Sequence, residues 1–158
     1  MELEGQKTLI ISLLWFGLSY VTFASEASNE GESMTARGIF EVDLQPQADA
    51  GSPAGRMVID KTYSGDMTGS GKGQMISKRT EGGTAVYYAV EEFLGSVNGK
   101  SGAFTLIHKG HMTKQSQTLD VEILEGSGSG ELENISGSMA ITQDSNGHTY
   151  ELMYELQN

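Results

Sequence analysis

The sequence has no cysteine. That removes disulfides, thiol nucleophiles, thiolate metal sites and a cysteine-linked lipid anchor. It does not exclude export, because a chain of 158 residues can build its own core without cross-links. Proline is nearly absent, at 2 residues, so a proline-rich disordered chain is excluded. Bases are scarce: 10 Lys and Arg stand against 21 Asp and Glu, for a net charge of -11. Phosphate backbones and anionic membranes repel such a chain, so nucleic acid is not an expected partner, and the acidity reads as solubility. No stretch keeps a helical apolar period between recognisable caps. Long hydrophobic runs are missing too, with one exception.

The exception is residues 9–24 (LIISLLWFGLSYVTFA). The run is short for a membrane span and ends in small residues, with cleavage expected after Ala24 or Ala27. This is the outline of a secretory signal peptide over residues 1–24, although Glu2 and Glu4 outnumber Lys7 where a positive excess is usual. The alternative is an uncleaved membrane anchor or a start site assigned too far upstream. Cleavage would leave no stable span and a secreted or periplasmic protein. Residues 25–34 (SEASNEGESM) read as a polar, disordered lead-in, and residues 35–158 as one β domain.

What the chain has in quantity is alternation and glycine, 21 residues of it. Asn98-Gly99 lies between two alternating runs, the strongest short hairpin signal. A two-residue turn there pairs Val97 with Lys100, Phe93 with Phe104, Glu91 with Leu106 and Ala89 with His108. Paired residues share a face, so Tyr87, Glu91, Phe93, Phe104, Leu106 and His108 point together to an inner side. The other face carries Tyr88, Glu92, Thr105 and Lys109. Further runs place Phe40, Val42 and Leu44 inward, then Met57, Ile59, Lys61 and Tyr63, and then Met67, Gly69, Gly71, Gly73 and Met75. Leu119, Val121 and Ile123 follow, then Ile135, Gly137, Met139 and Ile141. The last set is His148, Tyr150, Leu152, Tyr154 and Leu156. Residues 45–55 read as a loop, residues 144–147 (DSNG) as a second tight hairpin, and residues 126–130 (GSGSG) as a flexible connection with a mobile tip. About eight strands with one dry face each predict an all-β fold, a closed eight-stranded antiparallel barrel.

Five segments carry a resemblance: RGIFEVDLQPQ, GRMVIDKTYSGDMTGSGKGQM, YYAVEEFLGSVNGKSGAFTLIHKGHM, GSGELENISGSMAI and HTYELMYEL. In this order they resemble the bacterial domain-of-unknown-function 3224 family, over roughly residues 35–156. The resemblance implies a small antiparallel barrel of the kind grouped by fold with allene oxide cyclase. It implies no reaction, because that family has no settled activity and fold is not function. The apparent export signal departs from the plainest family pattern.

The candidate site follows from the inner face. Glu91 and His108 lie diagonally across the hairpin, within reach of one another, in apolar company that makes both costly to bury unpaired. Such a pair fits general acid–base work, ligand contact, or a polar pair that satisfies itself. Lys61 either reaches out of the barrel end or neutralises Glu91. Tyr63, Tyr87, Tyr150 and Tyr154, with Phe93, Phe104 and Leu106, are candidates to line a small apolar cavity. The glycine-rich residues 65–73 lack the ending of a phosphate loop. His108, His111 and His148 are too scattered for a metal site, no nucleophile elbow is present, and no cofactor is implied. Asn134-Ile135-Ser136 has the form of a glycosylation acceptor, which carries no weight in a bacterial host. Three functions remain. The first is a binder of a small hydrophobic or amphipathic molecule. The second is an isomerase or cyclase that moves a proton through Glu91 or His108. The third is a structural barrel with a filled core.

Overall fold

The computed structural model describes residues 32–48, 50–145 and 147–157. The expected signal peptide and most of the lead-in lie outside the described residues. Nine strands follow in order: β1 (Met34–Gln47), β2 (Gly55–Gly65), β3 (Met67–Arg79), β4 (Ala85–Val97), β5 (Lys100–Met112), β6 (Gln117–Ile123), β7 (Ser129–Gly130), β8 (Ile135–Asp144) and β9 (Gly147–Leu156). Eight of them run antiparallel in the ring β4-β3-β2-β1-β9-β8-β6-β5, and β5 pairs back onto β4 to close it. The fold is an eight-stranded barrel, with the two-residue β7 added against β5.

Registers follow the alternation. The Asn98-Gly99 turn has φ of 48° and 81°, the left-handed pair that a tight hairpin requires. Val97 therefore meets Lys100, Phe93 meets Phe104 and Ala89 meets His108. A slip of one residue would have turned this whole apolar set outward. β1 is longer than expected and runs through Pro46 to Gln47. Beyond Phe40 it pairs with β2 alone, so a proline there removes no bond to a second neighbour.

The larger departure is at residues 126–130, which are tied down by hydrogen bonds. Ser127 Oγ accepts from Thr105 N at 3.0 Å and donates to Leu124 O at 2.6 Å. Ser101 N donates to Glu131 Oε2 at 2.8 Å, and β7 pairs with Gly102 and Ala103. The loop thereby drives Leu132 into the barrel end, fully buried, against the side of Gly102 that has no Cβ.

The barrel has two distinct ends. One carries the β2–β3 and β4–β5 turns and the residue 124–134 loop. Ala36, Met67, Val97, Phe104, Leu132, Leu152 and Tyr154 pack it shut. Asn98 Nδ2 donates to Tyr154 OH at 2.9 Å and to Thr35 O at 3.2 Å, binding the hairpin tip to β1 and β9. The other end, the mouth, is ringed by residues 50–54, 80–84 and 113–116 and by the adjoining ends of β8 and β9. There the inward Val42, Met57, Met75, Tyr87, Met112 and Leu119 are only half-buried, and Leu44, though on the inner face, is exposed.

Candidate functional site

Between the closed end and the mouth lies one charged layer. Glu91 on β4 is wholly buried, and Lys61 on β2 and His108 on β5 are nearly so. Lys61 Nζ donates to Glu91 Oε2 at 2.6 Å, and Tyr63 OH donates to Glu91 Oε1 at 2.7 Å. His108 Nε2 stands 3.0 Å from the same Oε2, with its N–H off the line of a good hydrogen bond. Lys61 Nζ also sits 4.5 Å from the centre of the Phe40 ring, a cation–π contact that closes its other side. Sequence alternation put Lys61, Glu91 and His108 on inner faces, and the fold brings all three together.

Glycine makes the space. Gly71 lies across from the Lys61 and Phe93 backbones, and a Cβ there would overlap the Glu91 carboxylate and crowd the Tyr63 ring. The glycine face of β3 is thus the recess into which the ion pair folds. A similar gap at Gly110 takes the Tyr87 ring.

Burial alone would raise the Glu91 pKa. The His108 imidazole, the Lys61 charge and the Lys61 hydrogen bond outweigh it and hold the carboxyl below its ordinary value. Burial, followed by the Glu91 charge and hydrogen bond, pushes the Tyr63 phenol far up, so Tyr63 remains a donor at any ordinary pH. Both Glu91 oxygens are engaged and the group is a carboxylate. It is a poor proton acceptor for anything else.

The other candidates divide sharply. Tyr63, Phe93, Phe104, Leu106, Tyr150 and Tyr154 are packed into the core. Phe93 and Phe104 meet at a tilt of 38° with centroids 5.0 Å apart, and Tyr63 meets Phe93 and Tyr150 edge-on at 5.5 Å. Their hydroxyls are used by the protein itself: Tyr150 OH accepts from Met67 N at 2.8 Å, and Tyr154 OH accepts from Asn98. The expected cavity among these rings is therefore displaced, because aromatic bulk fills that level. Tyr87 differs. Its ring is half-buried, and its hydroxyl has no hydrogen-bond partner among the described residues; burial raises its pKa. It borders a cavity of about 150 Å³ at the mouth, with Met75, Ser77, Arg79, Met112 and Gln117. Arg79, Met112 and Gln117 escaped the sequence reading, which marks the face a residue occupies but not its depth. Among the described residues, no group of three or more His, Asp or Glu is placed to hold a metal ion.

A family model described as protein of unknown function (DUF3224) matches residues 36–154. The chain belongs to the DUF3224 family. A solved relative is described as a protein with unknown function from the DUF3224 family of Shewanella oneidensis MR-1, determined at 1.84 Å. It is 33% identical and superposes with a TM-score of 0.74, over 80% of this chain and 99% of its own. No curated protein matches. Membership in DUF3224 carries the barrel and its closure. It assigns no ligand and no reaction, so the chemistry rests on the residues above.

Proposed function

We propose that this DUF3224 barrel is a binding module that takes a small amphipathic molecule at its mouth, above the Lys61–Glu91–His108 layer. One observation carries the reading. At the mouth, inward apolar side chains stay half-exposed around a cavity of about 150 Å³, while the layers beneath are filled. That volume is about the size known to admit a benzene ring. Tyr87 offers an unpartnered hydroxyl on its wall, and Met75 and Met112 are unbranched side chains that adapt to varied apolar shapes. The charged layer forms a polar floor: His108 shares the register row of Met75 and Ala89, and Glu91 lies one inward position deeper, opposite Gly73.

An isomerase or cyclase would need Glu91 or His108 free to move a proton. Glu91 instead accepts hydrogen bonds from Lys61 and Tyr63 and has the His108 imidazole 3.0 Å away, a ground state that favours the binding reading over proton transfer. An exported binder remains our reading of the N-terminal signal.

The test is an NMR titration with 1-hexanol, a compact apolar probe. Shifts should appear at the Met75 and Met112 methyls and the Tyr87 ring and be absent at Phe93 and Phe104. No saturable shift at the mouth, or shifts centred on the core rings, would refute the reading.

A further inference from the structure

The mouth cavity has a charge character opposite to that of the chain. Acids outnumber bases 21 to 10 overall, yet Lys78 and Arg79 are the charged residues of the lining, His111 and Tyr87 are its other titratable groups, and no carboxylate is among them. Arg79 is the rim residue on the inner face of β3. Its neighbour across the sheet is Ala85, and beyond that Met112. The guanidinium arches over the small Ala85, and Nη2 reaches only the Met112 sulfur, at 3.9 Å. A sulfur contact leaves a five-donor fork almost unused. Lys78 is anchored beside it, Nζ donating to Pro53 O at 2.6 Å, so a second positive charge is fixed at the rim. Below the rim the wall becomes apolar, through Tyr87 and Met75.

We infer that the mouth selects a compact monocarboxylate, its apolar body inserted against Met75, Tyr87 and Met112 and its carboxylate held in the Arg79 fork. The inference rests on the mouth-binding reading and adds the sign of the head group to it. A planar guanidinium matches a carboxylate with two parallel hydrogen bonds, which a neutral amide cannot reproduce. The cavity volume limits the body to a ring or about a six-carbon chain. Lys78 strengthens the local field without needing direct contact. In a protein of net charge -11, such a local field also offsets the general repulsion of an approaching anion.

Hexanoate and hexanamide have the same chain and differ in head-group charge. Titrated separately at low salt and neutral pH, and followed by the Met75 and Met112 methyl signals, hexanoate should bind at least about tenfold more tightly, the scale of a charge-assisted bond. Arg79→Gln should remove most of that preference, lowering hexanoate affinity far more than hexanamide affinity. Arg79 is exposed, and an unchanged melting temperature would show that the variant folds. Lys78→Gln should narrow the preference by a smaller factor. Equal affinity for acid and amide, or a preference that survives Arg79→Gln, overturns the carboxylate assignment. In that event a positive 1-hexanol titration would leave the mouth-binding reading standing. Failure of all three probes would remove both.

Discussion

Around the Asn98-Gly99 turn, the inward Met67, Val97, Phe104 and Tyr154 are buried, and loops supply what the strands do not. Leu132 enters from a loop, and the Asn98 amide joins two strands through Tyr154 OH and Thr35 O. Around residues 80–84 and 113–116, the same strands continue with the same alternation, and no described residue of those two loops or of residues 50–54 is buried. Met75, Tyr87 and Met112 are left half-covered around an open volume. The contrast teaches that a barrel's ability to hold a ligand is set by what caps each end as well as by strand number. The Lys61–Glu91–His108 layer is the boundary between the two regimes.

That contrast can be broken by substitution. The largest effect should come at the boundary. Glu91→Ala strands the Lys61 ammonium in the interior, and urea unfolding should report a loss of about 3–5 kcal/mol. The double variant Lys61→Met/Glu91→Leu should recover most of it, since a buried pair adds little over an apolar replacement of similar volume. A double variant as unstable as Glu91→Ala would mean that the layer does more than balance its own charges. Next, Leu132→Ala at the closed end should cost roughly 2–5 kcal/mol, whereas Met112→Ala at the mouth should cost roughly 1 kcal/mol or less. Equal costs would erase the difference between the ends.

A pH series sharpens the boundary. The folded pKa of Glu91 lies below its unfolded value, so its contribution is complete above the ordinary carboxylate range, about 4.3, and fades as pH falls through the lower folded value. Wild-type stability should therefore fall more steeply with acid than that of Glu91→Gln; parallel curves would contradict the ionised assignment. The smallest effect is expected of Tyr87→Phe, which removes a hydroxyl with no partner among the described residues and should shift stability by no more than about 0.5 kcal/mol. A larger loss would give that hydroxyl a structural role and weaken its assignment to the ligand wall.

Much of this architecture was legible from residue order. Asn-Gly is a local signal with a fixed turn geometry, so the β4–β5 register followed from it. Alternation then placed Lys61, Glu91 and His108 on inner faces, and their meeting at 2.6–3.0 Å needed only barrel closure. What stayed hidden was depth. Met75 and Met67 sit on the same face of the same strand, yet one lines an opening and the other is sealed, because distant loops decide which is covered. Residues 126–134 were opaque for a related reason: GSGSG reads locally as a flexible tether, and only its pairing with β5 turns it into a lid for Leu132. The two-way fate of Lys61 resolved inward because Glu91, 30 residues away, was waiting in the recess that Gly71 leaves.

The seam between β1 and β9 brings Arg37 to within 2.6 Å of Glu151, 114 positions later. Until the last strand exists, the first has a bare flank, and no truncated chain can seal the ring. Hairpins β2 to β5 can zip up from local contacts, but closure has to wait for a long-range encounter, which makes folding slow for a chain this short. Until β9 has been made and paired, the flank of β1 is therefore an open, sticky edge, and β9 is the strand that seals it.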